Sequence, residues 1–306
     1  MTRFKSLCSS RRISFFLSVP LLLPFVAIAQ SPTSQIVFGD NFAKGPSPLW
    51  NNYDGLWTAN GGQYYAQVPN YEPLTYTGLP FVLTNFTLTV TTVVGDGGIW
   101  LRSNENNPYG AYLLLVLGGQ GYGQGDRGGL AGTSLYFANA QRTVLSQVEN
   151  VFVPGETYTI TVTARGDTYS VYINGAITPV ITFVNSDYPY GQVGLYDDQP
   201  NTITGDGFGV PTTFSNFLLS GIEVPPSVRI LSPDSGFVGS EVKIVGVNLQ
   251  GATAVSFNGA PARFLQRYPS TEIVTIVPEA ATTGPIEITT PIGTAVSAVD
   301  FTVSAP

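Results

Sequence analysis

The stretch from Glu156 to Asn174 fixes what this chain can fold into. Tyr158, Ile160, Val162 and Ala164 take alternate positions, and Thr157, Thr159, Thr161 and Thr163 fill the gaps between them. Side chains on an extended strand point alternately to opposite faces, so period two separates an apolar face from a hydroxyl face. An amphipathic helix needs its apolar residues three and four apart, and that spacing is nearly absent here. The chain turns at Gly166-Asp167, and Tyr169, Val171 and Ile173 resume the apolar face. Asn174-Gly175 then predicts a second tight hairpin of the I′ kind, which needs two residues at positive φ. Phe86, Leu88 and Val90 alternate with Thr87, Thr89 and Thr91 in the same way. These patterns predict an all-β molecule of antiparallel strands, each with one packed face and one wetter one.

The 306 residues suffice for about two domains. Adjacent prolines cannot continue a central strand, so Val224-Pro225-Pro226 marks the seam. The expected divisions are 1–29 as a signal peptide, 30–223 as a large β domain and 224–306 as a smaller one. Arg3, Lys5, Arg11 and Arg12 make a basic start, the apolar run Ile13 to Ala29 follows, and Ala27-Ile28-Ala29 is an A-x-A cleavage pattern. An uncleaved anchor is the competing reading, weakened by Pro20 and Pro24 inside the run. Cleavage removes four of 13 basic residues and none of 20 acidic ones, moving the net charge from −7 to −11. It also removes Cys8, the one cysteine, leaving no disulfide. The expectation is a secreted, periplasmic or cell-surface protein without membrane insertion after cleavage.

Composition excludes several chemistries. With no histidine in the chain, Ser-His-Asp triads, Cys-His pairs and imidazole-ligated metals fall away. An acidic balance argues against nucleic acid, whose phosphates need Lys and Arg. Eight glycines from Gly118 to Gly132 contain no G-x-x-x-x-G-K spacing, so a phosphate cradle is not expected; the default reading is a disordered or covering loop, and the alternative is a mobile loop that frames the ligand cleft. Arg165-Gly166-Asp167 falls where a hairpin needs Gly and Asp, which makes it a turn rather than a recognition tripeptide.

Residues after the seam carry a specific resemblance. Ser232-Pro233-Asp234-Ser235-Gly236, Gly239, Val242-Lys243-Ile244-Val245-Gly246 and Leu249 come in order, then Val255-Ser256-Phe257-Asn258-Gly259, Ile276-Val277-Pro278, Gly284, Gly293 and Phe301. Residues 225–304 resemble an IPT/TIG domain, an immunoglobulin-like sandwich. The resemblance implies a spacer, adhesion unit or docking module that could meet a protein partner. Strands are expected at Val228–Leu231, Glu241–Val245, Ala254–Phe257, Glu272–Val277, Ile286–Thr290 and Asp300–Val303.

The large domain carries Asp40-Asn41-Phe42, Gly97-Gly98-Ile99-Trp100-Leu101-Arg102, Val171-Tyr172-Ile173-Asn174-Gly175, Gly191-Gln192-Val193-Gly194-Leu195-Tyr196 and Phe214-Ser215-Asn216-Phe217. In that order they resemble concanavalin A-like lectin/glucanase jelly rolls, laminin G-like and close to 3-keto-disaccharide hydrolase domains. Such a fold would bring a returning last strand beside the first, with Phe38 near Phe217. Glucanases of this type set carboxylates two apart on one strand face, and no E-x-D-x-x-E occurs here. Asp197-Asp198 would point to opposite faces on a strand and could converge only in a loop.

Binding has better material than catalysis. Sugars stack their CH faces on aromatic rings and need a few fixed polar groups. Trp100 and Arg102, two apart, are expected on one strand face, opposite Ile99 and Leu101. With Tyr112 they are the expected ligand contacts, and Tyr122 and Tyr196 are lesser candidates. The opposing reading makes Trp100 core and pairs Arg102 with a surface carboxylate. No cofactor is implied; structural calcium is the one ion considered, at Asp40 and Asn41, with Asp197, Asp198 and Asp206 as a second acidic cluster, and a solvated acidic loop is the preferred reading of both. The expected function is recognition of a glycan or cell-surface polymer by the large domain. A saccharide hydrolase or ketosidase is the alternative, and an envelope scaffold or adhesion protein without a small ligand is the third reading.

Overall fold

The computed structural model describes residues 35–53, 55–67, 75–95, 97–103, 112–118, 133–141, 143–197, 212–268 and 271–305. The signal-peptide expectation at 1–29 lies outside them. Among the described residues there is no α-helix; the chain is all-β. Strands are numbered in chain order. Residues 35–223 form two facing antiparallel sheets. One runs β13 (Ile181–Val184), β12 (Thr168–Ile173), β11 (Thr157–Arg165), β6 (Leu83–Val93), β15 (Thr213–Glu223), β4 (Gln63–Ala66) and β3 (Trp57–Asn60), with β1 (Gln35–Asp40) also on β15. The other runs β10 (Val144–Val148), β9 (Leu135–Asn139), β8 (Leu113–Leu117), β7 (Gly97–Ser103), β14 (Gln192–Asp197), β5 (Thr75–Gly78) and β2 (Asn51–Asn52). This is the expected jelly-roll sandwich.

Alternation builds its core. Phe86, Leu88 and Val90 of β6 and Ile160, Val162 and Ala164 of β11 are buried against Ile99, Leu101, Leu113 and Leu115 from the facing sheet. Burying each such side chain stabilises by about 1.5–3 kcal/mol. The threonines face outward and pair across the strands, as at Thr89 Oγ1 and Thr161 Oγ1, 3.0 Å apart. Strand β15 returns beside β1, pairing Asp40 with Phe217, and the Phe38 and Phe217 rings meet at 6.1 Å as expected.

Arg165 is committed to its hairpin. Its Nη1 donates to the Phe86 carbonyl at 2.7 Å and its Nη2 to Thr87 Oγ1 at 2.9 Å, while Gly166 N–H donates to Asn85 Oδ1. The second turn differs from expectation. Asn174 and Gly175 have φ of 52° and 73°, and Ala176 N–H closes the turn on the Ile173 carbonyl at 3.1 Å. Yet the partner strand starts only at Ile181, opposite Val171. Pro179, with no N–H to give a ladder, falls within the longer connection.

Strand β15 ends at Glu223, and β16 (Ser227–Ser232) starts the second sandwich after Val224-Pro225-Pro226. One of its sheets runs β16, β18 (Glu241–Val247), β22 (Glu272–Ile276) and β21 (Phe264–Tyr268). The other runs β20 (Ala260–Ala262), β19 (Ala254–Phe257), β23 (Ile286–Thr290) and β24 (Gly293–Val296). A short parallel pair joins β17 (Ser235–Gly236) to β25 (Thr302–Val303). Val242, Ile244, Phe257, Ile273, Ile288 and Phe301 make a core separate from the first. Asn258 and Gly259, at φ 45° and 83°, form a two-residue hairpin with Phe257 opposite Ala260.

Candidate functional site

Strands β7, β8, β9, β14 and β5 are buried on both faces. One face supplies Ile99, Leu101, Leu115, Phe137 and Leu195 to the inter-sheet core. The other carries Tyr76, Trp100, Tyr112, Leu114, Val116, Tyr136 and Tyr196, a second cluster turned away from the facing sheet. Glycines make room for it. A Cβ on Gly98 would lie 2.6 Å from Tyr196 Cε1, and one on Gly194 would collide with the Tyr76 ring. The tyrosines therefore lie across bare backbone, directly opposite each other on β14 and β5.

Trp100 is the hub. Its ring centre lies 4.0 Å from Tyr112, 4.7 Å from Tyr76 and 6.3 Å from Tyr196. Tyr53 stacks on Tyr76 at 5.1 Å and carries the cluster to a half-buried rim. Its hydroxyl donates to Gln192 Oε1 at 3.2 Å, and Tyr76 Oη meets Ser103 Oγ at 2.9 Å. Tyr112 Oη donates to the Ala140 carbonyl at 3.5 Å. Trp100 Nε1–H has no acceptor and is buried. The face thus combines ring surfaces, one unmatched donor and a few fixed polar groups.

The structure brings Trp100, Tyr112 and Tyr196 together but separates Arg102 from them. Between the pairs Trp100–Gly194 and Ser103–Gln192, β7 has one more residue than β14. Arg102 takes φ 49° in this bulge, which turns its side chain to the opposite face. Its guanidinium lies over Tyr169 at 5.1 Å and Phe86 at 6.0 Å. Nη1 donates to the Tyr188 carbonyl at 2.8 Å and Nη2 to the Thr84 carbonyl. The expected Trp100–Arg102 subsite is corrected accordingly. Burial holds Arg102 below the ordinary guanidinium range and Tyr169 above the ordinary phenol range. Gly191 carries the only advance sign of the bulge, because a Cβ there would meet the Arg102 and Ser103 backbone.

Asp40 and Asn41 are occupied by the loop that follows them. Asp40 Oδ1 accepts the Phe42 N–H at 2.8 Å, and Oδ2 accepts the Ser47 N–H at 2.8 Å and Trp50 Nε1–H at 3.0 Å. Asn41 Oδ1 accepts the Ala43 N–H. These N–H donors make Asp40 the anchor of the loop. No group of three His, Cys, Asp or Glu side chains suited to a metal occurs among the described residues. Asp197 ends β14, where alternation places it with Val193 and Leu195, opposite Tyr196. Tyr122 with the Gly-rich loop beyond Gly118, Asp198 and Asp206 lie outside the described residues. Sequence reasoning missed Tyr53, Tyr76, Tyr136 and Gln192; the strand glycines at 98 and 194 were the signal for the tyrosines.

Residues 226–303 match the IPT/TIG domain model, and this part of the chain is an IPT/TIG domain. Among solved structures, the chain is similar to the carbohydrate binding module CBM66 from Bacillus subtilis, at 15% identity over 55% of this chain and 93% of that one, TM-score 0.39. It is similar to lectin II from Ulex europaeus at 10% identity, covering 62% and 99%, TM-score 0.43. The Bacillus licheniformis β-glucanase matches at 10% identity, covering 61% and 98%, TM-score 0.42. No curated protein matches the chain.

Proposed function

We propose that the first sandwich recognises a glycan or cell-surface polymer noncovalently, with the aromatic face of β5, β7, β9 and β14 as its platform. In this reading the IPT/TIG domain spaces or docks it, and the basic start and A-x-A pattern export the protein. The unmatched Trp100 Nε1–H carries the proposal. An unsatisfied buried donor costs about 1–3 kcal/mol, and a ligand hydroxyl or ring oxygen would relieve that cost. Tyr53, half-buried at the rim of the cluster, offers the ring surface on which sugar CH faces stack.

A scaffold without a small ligand is the second reading. It is favoured by the complete burial of the Trp100 ring, at 0% exposure. Trp100→Ala would remove a core side chain at a cost of about 3–5 kcal/mol, so it cannot separate the readings. Trp100→Phe keeps a buried ring and deletes the N–H. Full-length protein should be retained on at least one insoluble polysaccharide of a broad panel. Trp100→Phe should reduce that retention severalfold while circular dichroism keeps its β signature. Wild-type protein that washes through every matrix would favour the scaffold. Release of soluble sugar by the wild type would replace binding with hydrolysis.

A further inference from the structure

A cavity of about 290 Å³ lies where the two sandwiches meet, lined from the first by Arg102, Ser103, Asp187 and Tyr190 and from the second by Arg229 and Thr271. Its walls are held together by direct contacts. Asn248 Nδ2 donates to the Val224 carbonyl at 2.7 Å, and Gln250 Nε2 to the Pro80 carbonyl at 2.9 Å. Arg229 sits over the Tyr190 ring at 5.4 Å.

Charge is unbalanced here. Arg102 is 2% exposed, its two terminal nitrogens donate to neutral backbone carbonyls, and its Nε has no acceptor. No ion pair to it occurs among the described residues. A buried guanidinium without a carboxylate is costly, and an incoming anion compensates it. Arg229 adds a second guanidinium at the exposed side, held by its stacking on Tyr190. Against these two stands one lining carboxylate, Asp187, which accepts Asn185 Nδ2–H at 3.1 Å. The chain as a whole is acidic, at −7, so this cationic lining runs against its surroundings. The exposed Arg229 fork matches a planar carboxylate, the buried Arg102 adds its charge from beneath, and the apolar lining of Val82, Pro189 and Val245 suits the carbon body of an organic molecule. The volume is at the small end of ligand pockets, which start near 300 Å³.

We infer that this cleft binds a small organic carboxylate of monosaccharide size, of the uronate class, between Arg102 and Arg229. The inference is independent of the aromatic face.

Titration calorimetry of the full chain with sodium D-glucuronate at low ionic strength tests it, with D-glucose and sodium sulfate as comparison solutes. Glucuronate should bind, glucose should not, and added salt should weaken the complex. Arg229→Gln, at an exposed position, should weaken binding about tenfold. Asp187→Asn should tighten it severalfold by removing the opposing charge. Absent glucuronate heat overturns the inference, as does equal binding of glucose, sulfate binding without glucuronate, or an Arg229→Gln titration matching the wild type. Trp100→Phe should leave glucuronate binding unchanged, and Arg229→Gln should leave polysaccharide retention unchanged, so each site can fail alone.

Discussion

Asp40 shows how one carboxylate organises a loop. Phe42, Ser47 and Trp50 all donate to it, and Trp50 then packs on Phe42, Tyr64 and Phe217. Asp40→Asn keeps the size but removes the charge and turns an amide toward N–H donors. The expected loss is about 1–3 kcal/mol, read as a lower urea midpoint. Calcium should leave the wild-type midpoint unchanged; a calcium-dependent rise would restore Asp40 as a ligand. The donors come from two, seven and ten positions onward, a convergence that residue types alone do not reveal. The Asp-Asn pair alone therefore suggested a metal and gave no sign of the loop anchor. Arg102 was illegible for a related reason. A non-glycine residue at positive φ is uncommon, and nothing in Leu101-Arg102-Ser103 announces the bulge that turns the guanidinium away from Trp100.

Strands were legible where apolar and polar residues alternate along the chain. The Thr-alternating segments became β6 and β11, with the apolar residues inward as read. In the second sandwich Ala254–Phe257 and Ile286–Thr290 have the expected bounds. Strand β21 went unread because Phe264-Leu265-Gln266-Arg267 does not alternate, and Leu265 is exposed at the sheet edge. Strands β7, β8 and β14 are buried on both faces, so apolar runs hid which residues formed the second, aromatic cluster. Glycines define that cluster more sharply than its own tyrosines do. Gly98→Ala would drive a methyl into Tyr196 and the Leu115 carbonyl, and backbone cannot yield as a flexible side chain does. The expected destabilisation is about 1–3 kcal/mol. On β1, Gly39→Ala would meet Leu218 and the Phe217 carbonyl only at 3.6 and 3.7 Å, and should change stability by less than about 0.5 kcal/mol. Equal urea midpoints for the two variants would show that β7 and β14 yield at no cost, and would undercut the cleared-space account of the aromatic face.

The molecule divides its aromatic residues unequally. All three tryptophans and 15 of 16 tyrosines precede the seam, and only Tyr268 follows it. Tyrosine ionisation at alkaline pH should therefore act chiefly on the first sandwich. Burial raises the Tyr64 hydroxyl well above the ordinary phenol range, aided by the charge of Asp40 and opposed by the hydrogen bond with Thr77. Tyr169 is raised chiefly by burial, against the lowering effect of Arg102, and Tyr188 by burial and the charge of Asp187. In the unfolded chain these groups ionise near pH 10. A folded pKa above that value means their stabilising contribution is complete below about pH 10 and is lost as pH climbs toward the folded pKa. Each unit between the two states is worth about 1.4 kcal/mol for a buried tyrosine, so Tyr64 and Tyr169 weigh against the few kcal/mol by which a domain is stable, and the more exposed Tyr188, screened by solvent, adds less. Urea unfolding followed by tryptophan fluorescence should show a midpoint that holds steady up to about pH 10 and then falls steeply. Methyl resonances of Ile244, Ile273 and Ile288, which report the second core, should keep their midpoint over the same interval. A fluorescence midpoint as flat as the methyl midpoint through pH 11 would mean the buried phenols ionise without opening the sandwich. A joint fall would mean that the seam contacts of Asn248, Gln250 and Arg229 make the two cores unfold as one unit.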